Sequence, residues 1–192
     1  AGKSSVSRSV AQALGARYLD TGAMYRAVTW WMLARDIDLS DPQAISAAVG
    51  QCEVHPSTDP ANPQIWVNGE DVTAAIRGDQ VTAAVSAVSA VPAVRERLVA
   101  VQRTIAAGGD IVVEGRDIAG VVLPHAQVKV FLTADPAQRA VRRAVQDGAT
   151  AAHAHTTMAK RDHADSTRAV SPLEQAPGAV LIDSTHMDLD EV

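Results

Sequence analysis

The sequence contains a single cysteine, few aromatic residues and no long apolar run. Cys52 is the only cysteine among the 192 residues, so the chain cannot form an internal disulfide and is typical of a protein from a reducing compartment. No stretch approaches the roughly 20 apolar residues that a membrane-spanning helix needs, and the N-terminus does not resemble a signal peptide. We therefore expect a cytoplasmic protein without membrane contact. Aromatic residues make up only 3%, so its core must consist mainly of aliphatic side chains.

Lysine is scarce as well, whereas arginine is abundant. Three of the 17 basic residues are lysine, which leaves fourteen arginines, and the formal net charge is −5. A slightly acidic chain is a poor non-specific binder of nucleic acid, because that binding comes from neutralising many phosphates. Arginine presents a planar fork of donors that matches a phosphate or a carboxylate. Any phosphate site must therefore be local, and the positions of the arginines indicate where it lies.

The order of the predicted elements is typical of an α/β protein. Val6, Val10 and Leu14 are spaced four apart, which predicts a helix that ends at Gly15. Residues 17–20 are predicted to form a strand, and a helix follows a turn at Thr21. Buried strands are predicted at 111–114, 129–133 and 179–183, with helices at about 135–147 and 155–168. Strands that alternate with helices indicate a parallel sheet flanked by helices.

Residues 36–92 differ in character from the rest of the chain. Prolines at 56, 60 and 63 interrupt the pattern, and Asn68-Gly69 between two short β-prone runs is a hairpin signal. Helical sequence resumes at about Asp79 and again at Val94. We predict a single domain over 1–192, with a core of about 1–35 and 93–192 and an inserted subdomain at about 36–92.

Gly2-Lys3-Ser4 matches the end of the phosphate-binding loop pattern G-x-x-x-x-G-K-[ST], and a predicted helix follows at once. In such loops the main-chain N–H groups and the helix N-terminus hold phosphates, the lysine reaches the β- and γ-phosphates, and the hydroxyl holds Mg²⁺. Only three positions of the pattern are present. The triplet alone therefore does not separate a nucleotide site from a chance match.

Several arginines occur in clusters at helical spacing. Arg161, Asp165 and Arg168 fall at i, i+4 and i+7 and so share one face of a helix. A solvated face with one ion pair would have the same pattern. A second cluster comprises Arg139, Arg142 and Arg143.

Two further arginines follow predicted strands along the chain. They belong to Tyr25-Arg26 and to Gly115-Arg116-Asp117. In open α/β sheets ligands bind at the carboxyl ends of the strands. The arginine segments can therefore converge on the edge that Lys3 occupies. An enzyme that handles several phosphates needs this arrangement, because phosphoryl transfer depends mainly on positioning and charge neutralisation.

Three blocks give the sequence a more specific resemblance. They are DTGAMYR at 20–26, EGRDIAG at 114–120 and RDHADSTRAVSPL at 161–173. This pattern resembles that of the bacterial cytidylate (CMP) kinases, and the resemblance extends over essentially the whole chain, including GEDV at 69–72. It implies a P-loop NTPase-like fold with an inserted NMP-binding subdomain and a lid at about 139–160. It also implies transfer of the γ-phosphoryl group of MgATP to CMP or dCMP.

The resemblance assigns roles residue by residue. ATP-binding positions are Gly2, Lys3, Ser4, Ser5 and Arg139, with Ser4 also at the Mg²⁺ position. Residues around the acceptor phosphate are Thr21, Tyr25, Arg26, Arg116 and Arg168. The cytosine edge is read by Ser86, Arg95 and Asp117, and the ribose hydroxyls are held by Arg161 and Asp165.

The resemblance also implies a set of catalytic residues, which are Lys3, Arg116, Arg142, Arg143 and Arg168. It does not indicate which lid arginine reaches the transferring group. A carboxylate suits both cytosine and ribose, because it accepts from an amino group and from hydroxyls.

Two other interpretations stay open at this point. The chain could be another small-molecule P-loop kinase of the shikimate or adenylate type, against which Ser86, Arg95 and Asp117 argue. It could also be a nucleotide-binding module without turnover, which Lys3 and the phosphate-facing arginines disfavour. A metal site at the histidines 153, 155 and 163 is disfavoured because no cysteine or acidic set accompanies them at ligand spacing. We expect a monomer that binds ATP and CMP or dCMP and no nucleic acid polymer.

The two ends of the sequence raise a separate expectation. The phosphate-loop pattern implies roughly ten or more residues before Ala1, comprising an apolar strand and the glycine-rich half of the loop. Residues 188–192 read as the start of a terminal helix. We therefore expect these 192 residues to belong to a longer protein.

Overall fold

The computed structural model describes residues 2–147 and 175–192 of the chain. Over these residues the protein is mixed α/β, with parallel strand pairs and α-helices. The chain divides into two compact units, Arg8–Gly115 and Ala1–Ser7 with Arg116–Val192. Within the described ranges, no helix combines the length and the apolar character that a membrane crossing requires.

Helix α1 (Lys3–Leu14) is the first element. It ends at Gly15 as predicted, and the φ of this residue, +62°, lies in the region that favours glycine. The N–H of Ala16 donates to the carbonyl of Ala11 at 2.9 Å, and that of Gly15 donates to the carbonyl of Gln12 at 3.2 Å. These two bonds form the Schellman arrangement, which satisfies the last carbonyl groups of a helix.

Strand β1 (Arg17–Asp20) leads directly into helix α2 (Thr21–Leu33). The predicted turn at Thr21 is absent, because Asp20 itself caps the helix. Its carboxylate accepts a hydrogen bond from the N–H of Ala23 at 3.0 Å, which satisfies one of the N–H groups left over at a helix start. Most residues of α2 are buried, so this helix lies in the core of its unit.

The segment after α2 forms a short helix and a small antiparallel sheet. Its elements are helix α3 (Pro42–Ala48) and strands β2 (Val54–Pro56), β3 (Ile65–Val67) and β4 (Glu70–Asp71), paired in the order β2-β3-β4. The predicted hairpin is confirmed: Asn68 and Gly69 join β3 to β4 with φ values of +49° and +84°. Positive φ at both central residues is what the preferred two-residue hairpin turn requires.

Strand β2 is not predicted from the sequence, because Pro56 reads as a break. In the structure Pro56 is the last residue of an edge strand and lies opposite Ile65. Proline is tolerated at such a position because its missing N–H removes no internal ladder bond. The N–H of Ser57 then donates to the carbonyl of Gln64 at 2.8 Å and continues the pairing.

Two helices and a strand complete this unit: α4 (Asp79–Ala90), α5 (Pro92–Ala106) and β5 (Ile111–Glu114). Helix α5 begins two residues before the predicted Val94, because proline is well suited to the first helical position. Strand β5 pairs in parallel with β1, and Arg17 lies opposite Ile111. The core is largely aliphatic, as the composition predicts, with Val88 and Val94 completely buried.

A side-chain hydrogen bond joins β1 to β5. The hydroxyl of Tyr18 donates to a carboxylate oxygen of Glu114, and both side chains are buried, at 1% and 7% exposure. Burial raises the pKa of the Tyr18 hydroxyl above its ordinary value, and the neighbouring carboxylate raises it further. Tyr18 therefore stays protonated and acts as the donor that a buried carboxylate needs.

The second unit contains strand β6 (Val130–Thr133), helix α6 (Pro136–Asp147), strand β7 (Val180–Asp183) and a π-helical turn at Ile118–Val122. Strands β6 and β7 pair in parallel with Val130 opposite Val180. The predicted parallel pairing is thus present as two strand pairs, β1–β5 and β6–β7, one in each unit. The predicted helix at 155–168 lies outside the described residues.

The prediction that β6 and β7 are buried strands is wrong. Val130, Val180 and Leu181 are exposed by 50%, 59% and 56%. Apolar runs of this kind predict burial on both faces, but among the described residues β6 and β7 pair only with each other, so their side chains have fewer groups to pack against.

The predicted helix start at residues 188–192 is a capped turn in the structure. The N–H of Asp188 donates to the Glu191 carboxylate at 2.8 Å, and the N–H of Glu191 donates to the Asp188 carboxylate at 2.9 Å. This reciprocal pair is the capping box, which is typical of the first turn of a helix.

We expect Tyr18→Phe to destabilise the protein by about 1–3 kcal/mol, because the buried Glu114 carboxylate loses a donor. Chemical unfolding measured at neutral pH checks this value. Because the pKa of folded Tyr18 is raised, its contribution is complete at neutral pH and is lost above about pH 10, where an unfolded tyrosine ionises. Between pH 9 and 11 the free energy of unfolding of Tyr18→Phe should therefore decrease less than that of the wild type. Equal decreases in the two proteins would contradict the assignment.

We expect the thiol of Cys52 to be unreactive in the folded protein. Its side chain is 1% exposed, and burial raises the pKa of the thiol to about 12, whereas the reactive species is the thiolate. A colorimetric disulfide reagent at about pH 8 should label the protein only after unfolding in guanidinium. Stoichiometric labelling of the folded protein within minutes would show this prediction to be wrong.

Candidate functional site

The N-terminal end of α1 carries the residues predicted to bind ATP. Gly2 precedes the helix with a φ of +67°, and the N–H of Val6 donates to the Gly2 carbonyl at 3.1 Å as the first bond of the helix. The N–H groups of the residues between them therefore point out of the helix end, which makes such an end a site for anions. Lys3 and Ser5 are exposed and Ser4 is half-buried, so these side chains surround the same helix end.

Helix α2 positions three of the predicted acceptor residues. Thr21 is its first residue, is buried, and donates through Oγ1 to the main-chain carbonyl of Glu114 at 2.8 Å. Tyr25 lies one turn further along the helix, and Arg26 follows it. The bond from Thr21 ties the start of α2 to the end of β5, from which the chain continues to Arg116.

Arg26 is held inside the protein rather than on its surface. Its side chain is 5% exposed, and Nη1 donates to the carbonyl of Ile76 at 3.0 Å and to Oγ1 of Thr82 at 2.9 Å. Arg77, the residue after Ile76, lies 3.7 Å from the carboxylate of Asp20. The N-terminal part of α2 is therefore attached both to α4 and to the turn that precedes it.

Arg95 and Ser86 belong to the same unit as α2. Arg95 is 4% exposed, its guanidinium lies 5.5 Å from the ring centroid of Tyr25, and Nη1 donates to the carbonyl of Ser89 at 3.3 Å. Ser86 lies one turn before Ser89 on α4, and its carbonyl accepts from the Ser89 hydroxyl at 3.1 Å. Helices α2, α4 and α5 thus bring together Thr21, Tyr25, Arg26, Ser86 and Arg95.

Arg116 and Asp117 follow β5 along the chain, as predicted, and belong to the second unit. The carbonyl of Asp117 accepts from the N–H groups of Val121 and Val122 at 2.9 and 3.4 Å. Asp117 is thereby held at the start of the π-helical turn. Both predicted side chains are half-buried.

The predicted lid arginines Arg139, Arg142 and Arg143 all lie on α6. Nη2 of Arg142 donates to the carbonyls of Ser184 at 2.7 Å, Met187 at 3.0 Å and Thr185 at 3.3 Å, and Nη1 donates to the Ser184 hydroxyl at 3.2 Å. Arg142 therefore ties α6 to the turn after β7. The catalytic role of Arg142 stays a prediction.

An open cavity of about 730 Å³ lies at the carboxyl ends of β6 and β7. Its lining includes Thr133, Ala134, Asp135, Asp183, Thr185 and His186. The hydroxyl of Thr185 donates to Asp183 at 2.6 Å and accepts from the N–H of Asp135 at 2.8 Å. Hydrogen bonds from the Thr185 hydroxyl and N–H lower the pKa of the Asp183 carboxyl. The cavity therefore has an ionised acceptor at its wall.

Arg161, Asp165 and Arg168 lie outside the described residues, and so do the histidines 153, 155 and 163. Among residues 2–147 and 175–192, no group of three or more His, Cys, Asp or Glu side chains could hold a metal ion.

Sequence reasoning missed Thr82 and Glu114, which hold predicted site residues in place. Thr82 accepts from Arg26, and Glu114 accepts from Thr21 through its carbonyl. One signal could have identified Thr82, because it precedes Ser86 by four residues and so shares its face of α4. Glu114 gave no such signal, because strand ends are often polar.

Comparison with known proteins identifies the family of the chain. The cytidylate kinase family model matches residues 1–192. A protein named cytidylate kinase from Rhodococcus opacus is 55% identical over 197 residues, covering 100% of this chain and 86% of its own length. Cytidylate kinases from Streptomyces avermitilis and Mycolicibacterium paratuberculosis are 51% and 54% identical, cover 100% and 97% of this chain, and are each matched over 84% of their length. On this evidence, the chain belongs to the cytidylate kinase family.

Proposed function

We propose that this chain is a nucleoside monophosphate kinase that transfers the γ-phosphoryl group of MgATP to CMP or dCMP, giving ADP and CDP or dCDP. The observation that carries the proposal is the family match over residues 1–192. Relatives named cytidylate kinase that are 50–55% identical support it.

The acceptor nucleotide binds to residues of α2, α4 and α5. Arg26 and Thr21 contact its phosphate together with Tyr25, Arg116 and Arg168. Ser86, Arg95 and Asp117 read the cytosine edge, and Arg161 and Asp165 hold the ribose. The buried positions of Arg26 and Arg95 support these roles, because a guanidinium in a water-poor site binds an anion or a carbonyl more strongly than an exposed one does.

The donor nucleotide binds at the N-terminal end of α1. Gly2, Lys3, Ser4 and Ser5 surround its phosphates there, and Arg139 contributes from α6. Mg²⁺ arrives as part of the substrate MgATP and neutralises charge on its phosphates. In phosphate-binding loops a serine or threonine hydroxyl coordinates this ion, and Ser4 would supply that oxygen here. The cavity at the carboxyl ends of β6 and β7 is where we place the base of ATP, because ligands of open α/β sheets bind at that edge.

The transfer itself needs no covalent intermediate with the protein. An oxygen of the acceptor phosphate attacks the γ-phosphorus in line, and ADP departs with the electron pair of the broken bond. Lys3, Arg116 and Arg168 neutralise charge on the two phosphate groups and hold them in line. Arg139, Arg142 and Arg143 serve the lid; of these, Arg142 would first have to give up its bonds to the carbonyls after β7.

The division of the chain follows from the same proposal. Residues 36–92 form the inserted acceptor-binding subdomain, residues 139–160 form the lid, and about 1–35 with 93–192 form the kinase core. We further propose that the protein acts as a monomer in the cytoplasm. The small antiparallel sheet β2-β3-β4 within 36–92 supports the insertion, because it differs in strand direction from the parallel pairs.

We expect the purified full-length protein to release ADP from MgATP most rapidly with CMP and dCMP as acceptors. The assay compares CMP, dCMP, UMP, AMP, shikimate and a sample without acceptor. A Lys3→Ala preparation controls for contaminating kinases and should lose at least about 100-fold in kcat/KM, because the lysine stabilises the transferred charge.

Three outcomes would count against the proposal. If AMP or shikimate were as good as CMP, the chain would be a kinase of another kind. If the rate survived in the Lys3→Ala preparation, the activity would come from a contaminant. If CMP bound in calorimetry without turnover, the chain would be a nucleotide-binding module.

We expect Arg116→Ala and Asp117→Ala to have different effects although the residues are adjacent. Arg116→Ala should lower kcat/KM for CMP, dCMP and UMP alike, by roughly tenfold to 100-fold, because all three share the phosphate. Asp117→Ala should mainly reduce the ratio of CMP to UMP activity, because the carboxylate accepts from the cytosine amino group. The reverse pattern, with base preference lost only in Arg116→Ala, would overturn both assignments.

A further inference from the structure

Arg26 is oriented by two acceptors that lie on different parts of the chain. Its Nη1 atom donates to the carbonyl of Ile76 at 3.0 Å and to the hydroxyl oxygen of Thr82 at 2.9 Å. The arginine is 5% exposed. A buried guanidinium with two short bonds on one nitrogen has little freedom to rotate.

These two bonds fix the plane of the guanidinium and with it the directions of its N–H groups. Nη1 carries two hydrogens, and each of the two acceptors can take one of them. A phosphate oxygen accepts along the direction of an N–H bond. Its contact with Arg26 therefore depends on Nη1 staying where Ile76 and Thr82 hold it.

Thr82 is the acceptor of this pair that a change of side chain can remove. The Ile76 acceptor is a main-chain carbonyl, which every residue at that position would supply. The other residues of α4 are mainly alanine and valine, and threonine is a poorer helix former than alanine. A hydroxyl at this position therefore costs helix stability that alanine would keep.

We propose that Thr82 is a positioning residue for acceptor binding. Its hydroxyl oxygen holds the Arg26 guanidinium in the orientation that meets the acceptor phosphate. The inference rests on the proposed function, in which Arg26 contacts that phosphate. Thr82 also lies one helical turn before Ser86, so α4 links the residues for the phosphate to those for the base.

The test compares Thr82→Val, Thr82→Ala and Thr82→Ser with the wild type in the full-length protein. Valine keeps the shape of threonine and removes the acceptor, and alanine removes the acceptor without adding volume. Serine restores the hydroxyl. Thr104→Val is the matched control, because Thr104 is an exposed helical threonine whose hydroxyl bonds to the Ala100 carbonyl of its own helix at 3.1 Å.

We expect Thr82→Val and Thr82→Ala to raise KM for CMP about tenfold, as the loss of one hydrogen bond to a charged group predicts. KM for dCMP and UMP should rise by the same factor, because the phosphate is common to all three. KM for ATP and kcat should change by less than about twofold. The lost interaction binds the acceptor equally well in the ground state and in the transition state, so its loss affects KM for the acceptor and not kcat. Thr82→Ser should restore the wild-type values, and Thr104→Val should match the wild type throughout.

Each other result contradicts the inference. Unchanged KM for CMP in Thr82→Val and Thr82→Ala would show that Thr82 does not orient Arg26. Equal rises in KM for ATP and CMP, together with a lower melting temperature, would show a purely structural role, as would failure of Thr82→Ser to restore binding. If Thr82→Val does not fold, Thr82→Ala gives the same readout. A wild-type protein inactive with CMP would overturn the proposed function itself, and with it this inference.

Discussion

A buried guanidinium must keep its hydrogen-bond acceptors, and this requirement shapes the unit formed by Arg8–Gly115. Arg26 and Arg95 are 5% and 4% exposed, and their acceptors include the carbonyl of Ile76 in the turn before α4 and two residues of α4 itself, Thr82 and Ser89. Removing a partner from a buried charge costs more than the intact bond contributes. The relative positions of α2, α4 and α5 are therefore held by two cations as well as by apolar packing.

Helix α2 carries core residues and predicted site residues in a single element. Met24, Ala27 and Val28 are completely or almost completely buried, while Thr21 and Tyr25 share a neighbouring face one turn apart. A site built on a packed helix keeps its side chains near the geometry that a ligand needs, so less conformational freedom is lost on binding. The same burial leaves the Arg26 side chain few rotamers. An exposed arginine at that position would sample many rotamers.

The sequence predicted the elements with strong local signals. The Gly15 helix end, the Asn68-Gly69 hairpin and the strand at 111–114 were correct, because a positive φ or an apolar run depends on nearby residues only. Strand β2 was missed and the burial of β6 and β7 was overestimated, since both depend on which strands become neighbours. For the candidate site, the motifs predict residues such as Arg26 but not its hydrogen-bond acceptors, because Ile76 and Thr82 lie about 50 residues from Arg26 in the chain.

Arg142 shows why arginine clusters are difficult to interpret from sequence. A guanidinium uses the same N–H donors for phosphate oxygens and for main-chain carbonyls. The i, i+3, i+4 spacing therefore predicts that the arginines share a helix face, but it does not predict which acceptors they bind. The partner of Arg142 is a turn more than 40 residues away, where three carbonyls converge after β7. Carbonyls at the end of a strand need donors because the strand pairing stops there. One arginine of the cluster thus satisfies the backbone and holds the middle of α6 against the turn after β7. The orientation of Arg139 on α6 therefore depends on the contact that Arg142 makes. The spacing of the arginines in the sequence does not predict that contact.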